Sequence, residues 1–443
     1  MSARRTQVPS LLGDPGIRRV RTPERRFLFA VPPLTGPMGS DTAVTSKAGA
    51  PSNAGAASNA GFTSNAGVTS NTVVAPTAAV AAELARRGHK VAWTGHRASL
   101  EPRLRPGSRV IDAVGEDFGK RLPGLRDELL QLRGLAALRF LWRDILVPLG
   151  HAMMPGVGKA IDRFRPDAVV SDQFALAAPV AARRRELPWA TSAATSAEFT
   201  RPLAAMPKVE EWIRDQIADF QLDHGIDDLL DLRFSDHLVL AFSTGGLIGD
   251  TSFFPDHFAF VGPALGRPAP RAFPWDWLDG RPAVLVTLGA ARGPSGDRFF
   301  GIAAEAVRDM DVQAILVAPP DVVADPPPNV LVRADVPQHK LLEHVSAVVC
   351  QGDHDTVCTS LSQGLPMVVA PDRDDQPVIA RQVEAAGAGV PVRYARVRPD
   401  ELRTALATVL TDGPHRAAAA RARDAIASAG GAAEAADHLE KIA

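Results

Sequence analysis

The sequence predicts an α/β protein made of two doubly wound parallel-sheet domains. Three observations lead there. The chain has 443 residues, enough for two or three domains with large buried cores. Short apolar runs suited to buried strands alternate with amphipathic helical stretches, the pattern of a parallel sheet covered on both faces. A Pro- and Arg-rich stretch, Arg267–Trp277, interrupts that alternation and reads as a linker between two such halves.

In chain order, Met1–Arg26 is Arg-rich and lacks the apolar core of a secretory signal, so it reads as a disordered extension of a cytoplasmic protein. Phe27–Pro33 is the first buried strand. Residues 38–73 form a Ser/Asn/Ala/Gly-rich insertion in which Ser-Asn-Ala-Gly recurs at 52, 58 and 64. Three small polar repeats cannot bury a core, which makes a flexible loop the expected state. Ala78–Arg87 is an amphipathic helix stopped by Gly88, and Lys90–Trp93 is the second strand. His89 and His96 flank that strand and read as structural. Asp112–Leu149 is largely helical, with an apolar face that is either core or the wall of a pocket. Ala168–Asp172 is another buried strand, with Asp172 at its carboxyl end. Phe260–Pro263 closes the first half. The second half alternates regularly from Ala283, and Pro414–Ile442 reads as Ala-rich and helical. The expected domains are 1–26 extension, 27–265 first domain, 266–278 linker and 279–443 second domain.

Composition excludes several functions. A formal net charge of −1 gives no basic patch for nucleic acid. No apolar run spans a membrane, since Leu138–Met154 is broken by Arg139, Arg143, Asp144 and His151. Two cysteines, Cys350 and Cys358, make neither a disulfide framework nor a metal site and read as small buried hydrophobes.

The most informative stretch is Cys350–Val378. A polar turn, Gln351-Gly352-Asp353-His354-Asp355-Thr356, precedes a helical run over Val357–Ser362. The strand Met367–Ala370 and a second acidic turn, Asp372-Arg373-Asp374-Asp375-Gln376-Pro377, follow. Strand, turn and helix in that order aim the free N–H groups of a helix N-terminus at whatever sits over the turn. This stretch resembles the donor-binding signature of family-1 glycosyltransferases of actinobacterial natural-product pathways of the macrolide and enediyne type. Gly352, His354, Thr356, Asp375, Gln376 and Pro377 match that signature. Gln351, Asp353, Asp355 and Thr359 stand where the family has His, Gly, Asn and Glu. The resemblance covers roughly residues 27–37 and 75–443, and it implies the GT-B fold, two Rossmann-like domains facing a central cleft, with a terminal helix crossing back to the first domain.

The resemblance also implies residue roles. Val336, Pro337 and Gln338 match the segment that holds the nucleotide base. Gly352 and Thr356 belong to the phosphate turn, and Asp375 and Gln376 match the pair that holds sugar hydroxyls. Asp172 matches the aspartate that orients the family's catalytic histidine, although an N-cap for the next helix is nearly as good a reading. That histidine has no counterpart after Gly36. Ala290 offers no hydroxyl where relatives have Thr or Ser. Asp353 and Asp355 each repel a phosphate charge by roughly 4 kcal/mol at 4 Å and an effective dielectric near 20, whereas the helix end returns only about 0.3–1 kcal/mol. Two aspartates also form an Asp-x-Asp pair, but the family normally needs no metal and none is expected.

On these residues the expectation is a glycosyltransferase-like protein that binds an apolar polyketide-like intermediate in the cleft. It would be repurposed for acid/base chemistry such as cyclisation or dehydration, through Asp172, Asp353, His354 and Asp355, with no cofactor. A non-catalytic role beside a partner glycosyltransferase, or as a homodimer, belongs to the same expectation. The alternative is an inverting glycosyltransferase using a TDP- or UDP-sugar as donor.

Overall fold

The structure is a computed structural model that describes residues 23–33, 70–265, 271–288 and 294–443. The insertion as far as residue 69, the segment Thr35–Pro37, most of the N-terminal extension, part of the linker, and Gly289 and Ala290 lie outside the described residues. Two parallel sheets carry the fold. The first has the order β3-β2-β1-β4-β5-β6-β7. Its strands are β1 Arg26–Ala30, β2 Lys90–Gly95, β3 Val110–Asp112, β4 Ala168–Asp172, β5 Trp189–Ala193, β6 Leu238–Ala241 and β7 Phe258–Phe260. The second has the order β10-β9-β8-β11-β12-β13. It comprises β8 Ala283–Thr287, β9 Gln313–Val317, β10 Val330–Arg333, β11 Ala347–Cys350, β12 Met367–Val369 and β13 Gly389–Pro391.

The central strands are apolar on both faces because helices cover both faces. Phe27 and Phe29 of β1 pack on one side, with Trp93, Leu84 and Leu439. Leu28 and Ala30 point into a second cluster containing Trp142, Trp189 and Phe220. That cluster decides the question left by the helical region after Asp112. Phe118, Leu138, Trp142, Ile145 and Leu149 are buried core. The run is one helical column, Gly134–Phe140, a stretch of π-helix Leu141–Leu146, then Val147–Phe164. It continues through Pro155, well past the expected end at Leu149.

One boundary differs from expectation, and the expected C-terminal helical stretch is divided, each for a physical reason. The first helix runs Ser70–Arg86, so it starts inside the expected insertion and carries Pro76 within it. Pro76 lacks an N–H, but the carbonyl it leaves unbonded is that of Thr72, close to the frayed first turn. The C-terminus is two helices, Pro414–Ser428 and Gly431–Ile442. Gly430 and Gly431 separate them at φ +81° and +57°, conformations that cost other residues about 1–2 kcal/mol. The Gly431 N–H donates to the Val261 carbonyl at 2.7 Å, and the last helix lies against the first. Arg87 binds Glu83, Asp437 and Glu440 there, while His89 donates from Nε2 to Glu440 and accepts the Arg25 N–H on Nδ1.

Both sheets reverse their winding at one place, between β1 and β4 in the first and between β8 and β11 in the second. Outside the carboxyl ends of the strands at such a point, neighbouring loops run apart and leave a crevice. Asp172 ends β4 at the first switch point. Gln351 follows β11 at the second.

Candidate functional site

The second switch point is built by a glycine and a cap. Gly352 has φ +89°, and a Cβ there would lie 2.7 Å from Val369 Cγ1. Only glycine lets the chain turn so tightly over β12. The helix then starts at His354, three residues before the expected Val357, because Asp353 caps it. The Thr356 N–H donates to Asp353 Oδ1 at 2.9 Å, and the Thr356 hydroxyl also bonds this carboxylate. Asp353 therefore turns inward onto its own helix, and Thr356 is spent on it. Gln351 is 2% exposed, and its Nε2 has no partner among the described residues. It stands in the histidine position of the resemblance, so a buried donor without an acceptor marks the place where an anionic oxygen fits.

The second acidic turn is held by its own glutamine. Gln376 Oε1 accepts from the N–H groups of Asp372 and Arg373 at 3.0 and 3.1 Å. Asp374 sits at φ +59°. Asp375 Oδ2 accepts the hydroxyl of Thr195, from the other domain, at 2.6 Å. Ser196 donates to Gln382 at 2.6 Å, and Gln382 donates to Thr200 at 3.1 Å. The domains are thus latched at the mouth of the candidate donor site. Beside this latch lies a cavity of about 10 Å³, lined by Pro76, Ala194, Phe242, His354, Asp355 and Cys358. That is room for about one water. A wider groove of about 520 Å³ opens between the domains along Thr200–Ala205, Gly245–Gly249 and Val378–Ala386.

Burial governs the titrating groups. Asp172 is 3% exposed and burial pushes it up to about 7, against the pull of the Phe174 and Gln173 N–H groups, with Glu198 adding to the rise. The Phe174 N–H donates to Asp172 Oδ1 at 3.0 Å, so a capping interaction and a raised affinity for a proton coexist in one residue. Burial and then Asp353 raise Asp355 to about 6. Asp375 also rises to about 6 through burial, with Thr195 opposing and Asp353 and Glu198 reinforcing. Burial raises Asp353 and, with Asp375 beside it, raises Asp374 further. His354 is depressed to about 4 by burial; its ring donates to the Ala194 carbonyl and lies 3.5 Å from Cys358 Sγ. It is a neutral linker across the interface at neutral pH, and a weak proton acceptor there.

The structure therefore gathers Asp353, His354, Asp355, Thr356, Asp375 and Gln376 at one place. Thr195 brings Asp375 to the β5 end, next to β4 and Asp172. Val336 is buried in the second domain's core, in one cluster with Cys350 and Val357 on either side of the first polar turn, and bonds the Gln338 N–H through its carbonyl. Sequence reading missed Thr195 and Glu198. Thr195-Ser196-Ala197-Glu198 is a Thr-x-x-Glu capping pattern, and Thr195 caps the helix Ser196–Phe199 by accepting from Ala197. That signal marks a helix start but not what faces it. Among the described residues no three His, Cys, Asp or Glu side chains gather to hold a metal, and no helix is long and apolar enough to cross a membrane.

Two α/β domains meeting at their switch points define the GT-B class, and comparison with solved structures agrees. The calicheamicin glycosyltransferase CalG4 superposes with a TM-score of 0.70 at 22% identity, covering 95% of this chain and 98% of that one. The spinosyn rhamnosyltransferase SpnG complexed with thymidine diphosphate gives 0.64 at 20% identity, over 94% and 100%. The chain has the GT-B fold. More particularly, residues 302–442 match the erythromycin biosynthesis protein CIII-like C-terminal domain. The chain is 28% identical to 4'-demethylrebeccamycin synthase of Lentzea aerocolonigenes over 411 residues, 83% of this chain and 96% of that protein. It is 27% identical to demethyllactenocin mycarosyltransferase of Streptomyces fradiae over 387 residues, 83% of each.

Proposed function

We propose that this protein is a glycosyltransferase of a natural-product pathway that moves a sugar from a nucleoside diphosphate, TDP or UDP, to a hydroxyl of an apolar polyketide-like acceptor. The observation that carries this is the juxtaposition of Asp172 at one switch point with the Gln351–Thr356 turn and Asp375-Gln376 at the other. Asp172 takes the place of the absent histidine. A carboxylate lifted to about 7 has the affinity for a proton that a general base needs near neutrality. It removes the acceptor hydroxyl's proton, the oxygen bonds to the anomeric carbon, and the nucleoside diphosphate leaves with the electron pair of the broken C–O bond. Gln351 Nε2 is placed to meet a diphosphate oxygen, and Asp375 to accept from sugar hydroxyls once the latch to Thr195 opens. The inward turn of Asp353 favours this reading over repurposing, since that carboxylate's lone pairs serve its own helix. Twenty-eight per cent identity over most of a rebeccamycin-pathway synthase supports it too.

The second reading, acid/base chemistry without a sugar, is favoured by one observation: the half-buried Asp353 and Asp355 and the buried Asp375 lie together at the seat of a dianion, each raised by loss of solvent. An auxiliary role beside a second copy or a partner glycosyltransferase would use the edge of the first sheet, where the Phe253 ring is 75% exposed. The deciding experiment has two parts. Thermal shifts are measured with TDP and UDP, with and without Mg²⁺. The protein is then incubated with a polyketide acceptor, with and without TDP-sugars, and products are weighed by mass spectrometry. A shift and a sugar-sized mass gain are expected. A product of unchanged or dehydrated mass formed without nucleotide would establish the second reading instead.

A further inference from the structure

A separate groove opens on the first domain, and its lining is cationic in a chain whose 49 basic and 50 acidic residues nearly cancel. It encloses about 630 Å³ between the helix Val147–Phe164, the end of the helix Ala177–Arg183 and the end of the helix Pro207–Asp223. His151, Pro155, Gly158 and Asp162 recur at steps of three and four, so one face of the first of these helices forms the long wall, with Lys159 beside them. Gly158 makes the room, since a Cβ there would stand 3.3 Å from Arg185 Nη2. Arg184 and Arg185 close one end of the groove just before β5 begins at Trp189, and Asp162 comes shortly before β4. That end therefore lies by the amino ends of the strands, opposite the end where Asp172 stands.

The positive charge there is not balanced. Asp162, the one carboxylate recorded in the lining among the described residues, is taken up by Arg185, whose Nε and Nη2 donate to it at 2.9 and 3.2 Å while Nη1 donates to the Ala181 carbonyl at 3.2 Å. Lys159 and Arg184 are exposed, and neither side chain has an ion pair or hydrogen bond among the described residues. At the other end two imidazoles meet. His151 Nδ1 lies 3.1 Å from His224 Nε2, with the Phe220 ring against both. Neutral rings at that separation share one proton, and a second would set two cations side by side. Burial, then His151 and Arg184, hold His224 below the ordinary imidazole value, with Asp223 opposing.

We propose that this groove is a second binding site, apart from the donor cleft, for a phosphate-bearing anion held by Lys159 and Arg184, with the His151–His224 pair as a wall that takes up a proton when the anion binds. A guanidinium offers a fork of N–H donors to two phosphoryl oxygens, and the lysine adds a point charge. The volume is that of a small-molecule pocket, so it admits an ester as well as the bare ion. The charged groups around the histidines are Asp223 at 3.8 Å from His151, Lys159 and Asp162 on the facing helix, and Arg184. An anion added to this set favours the second proton, so binding tightens as pH falls through the imidazole range.

The test is isothermal titration of the full chain with sodium sulfate and with inorganic pyrophosphate in about 0.15 M salt. Sulfate keeps its charge across the range, so any effect of pH belongs to the protein; it should bind at least about threefold tighter near pH 6 than near pH 8. Lys159→Gln and Arg184→Gln change exposed side chains and should keep the melting transition. Each should weaken pyrophosphate binding about three- to fivefold, the scale of one half-exposed charged contact. Pyrophosphate can also enter the donor turn, so the titration is repeated in Gln351→Ala, where binding to the groove should persist. Flotation with vesicles of phosphatidic acid in phosphatidylcholine tells the two sources apart: retention abolished by the Lys159 and Arg184 substitutions places the phosphate on a lipid, and no retention places it on a soluble molecule. The proposal is overturned if neither anion binds, if binding ignores both substitutions, if Gln351→Ala alone removes it, or if sulfate binds equally at the two pH values.

Discussion

Replacing Asp172 by Asn separates the carboxylate's chemistry from its structural role. Asn keeps an oxygen for the Phe174 N–H, so the turn after β4 survives. What disappears is a buried group that titrates at about 7 in the fold against an ordinary value of 3.8. The folded pKa is raised, so the associated stability is present in full below about pH 4 and is lost as pH rises to about 7, after which the deficit is constant. About three pKa units at roughly 1.4 kcal/mol each set a ceiling of about 4 kcal/mol, and relaxation of the buried site brings the expected effect to about 2 kcal/mol. With about 2–4 °C per kcal/mol for a domain of this size, Asp172→Asn should melt about 4–8 °C higher than wild type near pH 8 and within about 2 °C of it near pH 4. Differential scanning fluorimetry across that range reads the gap. Sugar transfer should fall about 10²–10⁴-fold in the same variant, and the wild-type rate should rise with pH through about 7. A melting gap that is the same at both pH values would refute the burial argument. Unchanged turnover would refute Asp172 as the base.

Gly352→Ala should cost about 2–4 kcal/mol, from a left-handed φ and a Cβ at 2.7 Å from Val369, read as a lower urea midpoint. Arg87→Ala removes the guanidinium that joins Glu83, Asp437 and Glu440, so amide exchange should quicken across 431–442 while the second sheet stays protected. Thr195→Val deletes the latch to Asp375; TDP should bind more tightly, because closure no longer competes with the ligand, and an unchanged dissociation constant would count against the latch. His354, held near 4, stays neutral between about pH 5 and 8, so His354→Asn should leave the pH dependence of turnover in place while altering its size.

The fold class was legible in the sequence because parallel strands buried on both faces leave continuous apolar runs, and the helices between them leave turn and cap residues. The Gly352 turn was legible for the same reason, since a tight φ-positive turn admits few residue types. Even the break at Gly430–Gly431 was written there as a Gly-Gly pair, although an Ala-rich background masked it. The direction of a carboxylate was not. Asp353 reads as a charge placed against a phosphate, and only its bond to the Thr356 N–H turns it back onto its own helix. Nor does any local pattern tell that Thr195 meets Asp375, 180 residues away. Propensity and periodicity act over one or two turns of chain, so they determine elements and their order. Desolvation, pKa and pairing across a cleft depend on which groups the two domains bring within a few ångströms, and that was decided only when both switch points came face to face.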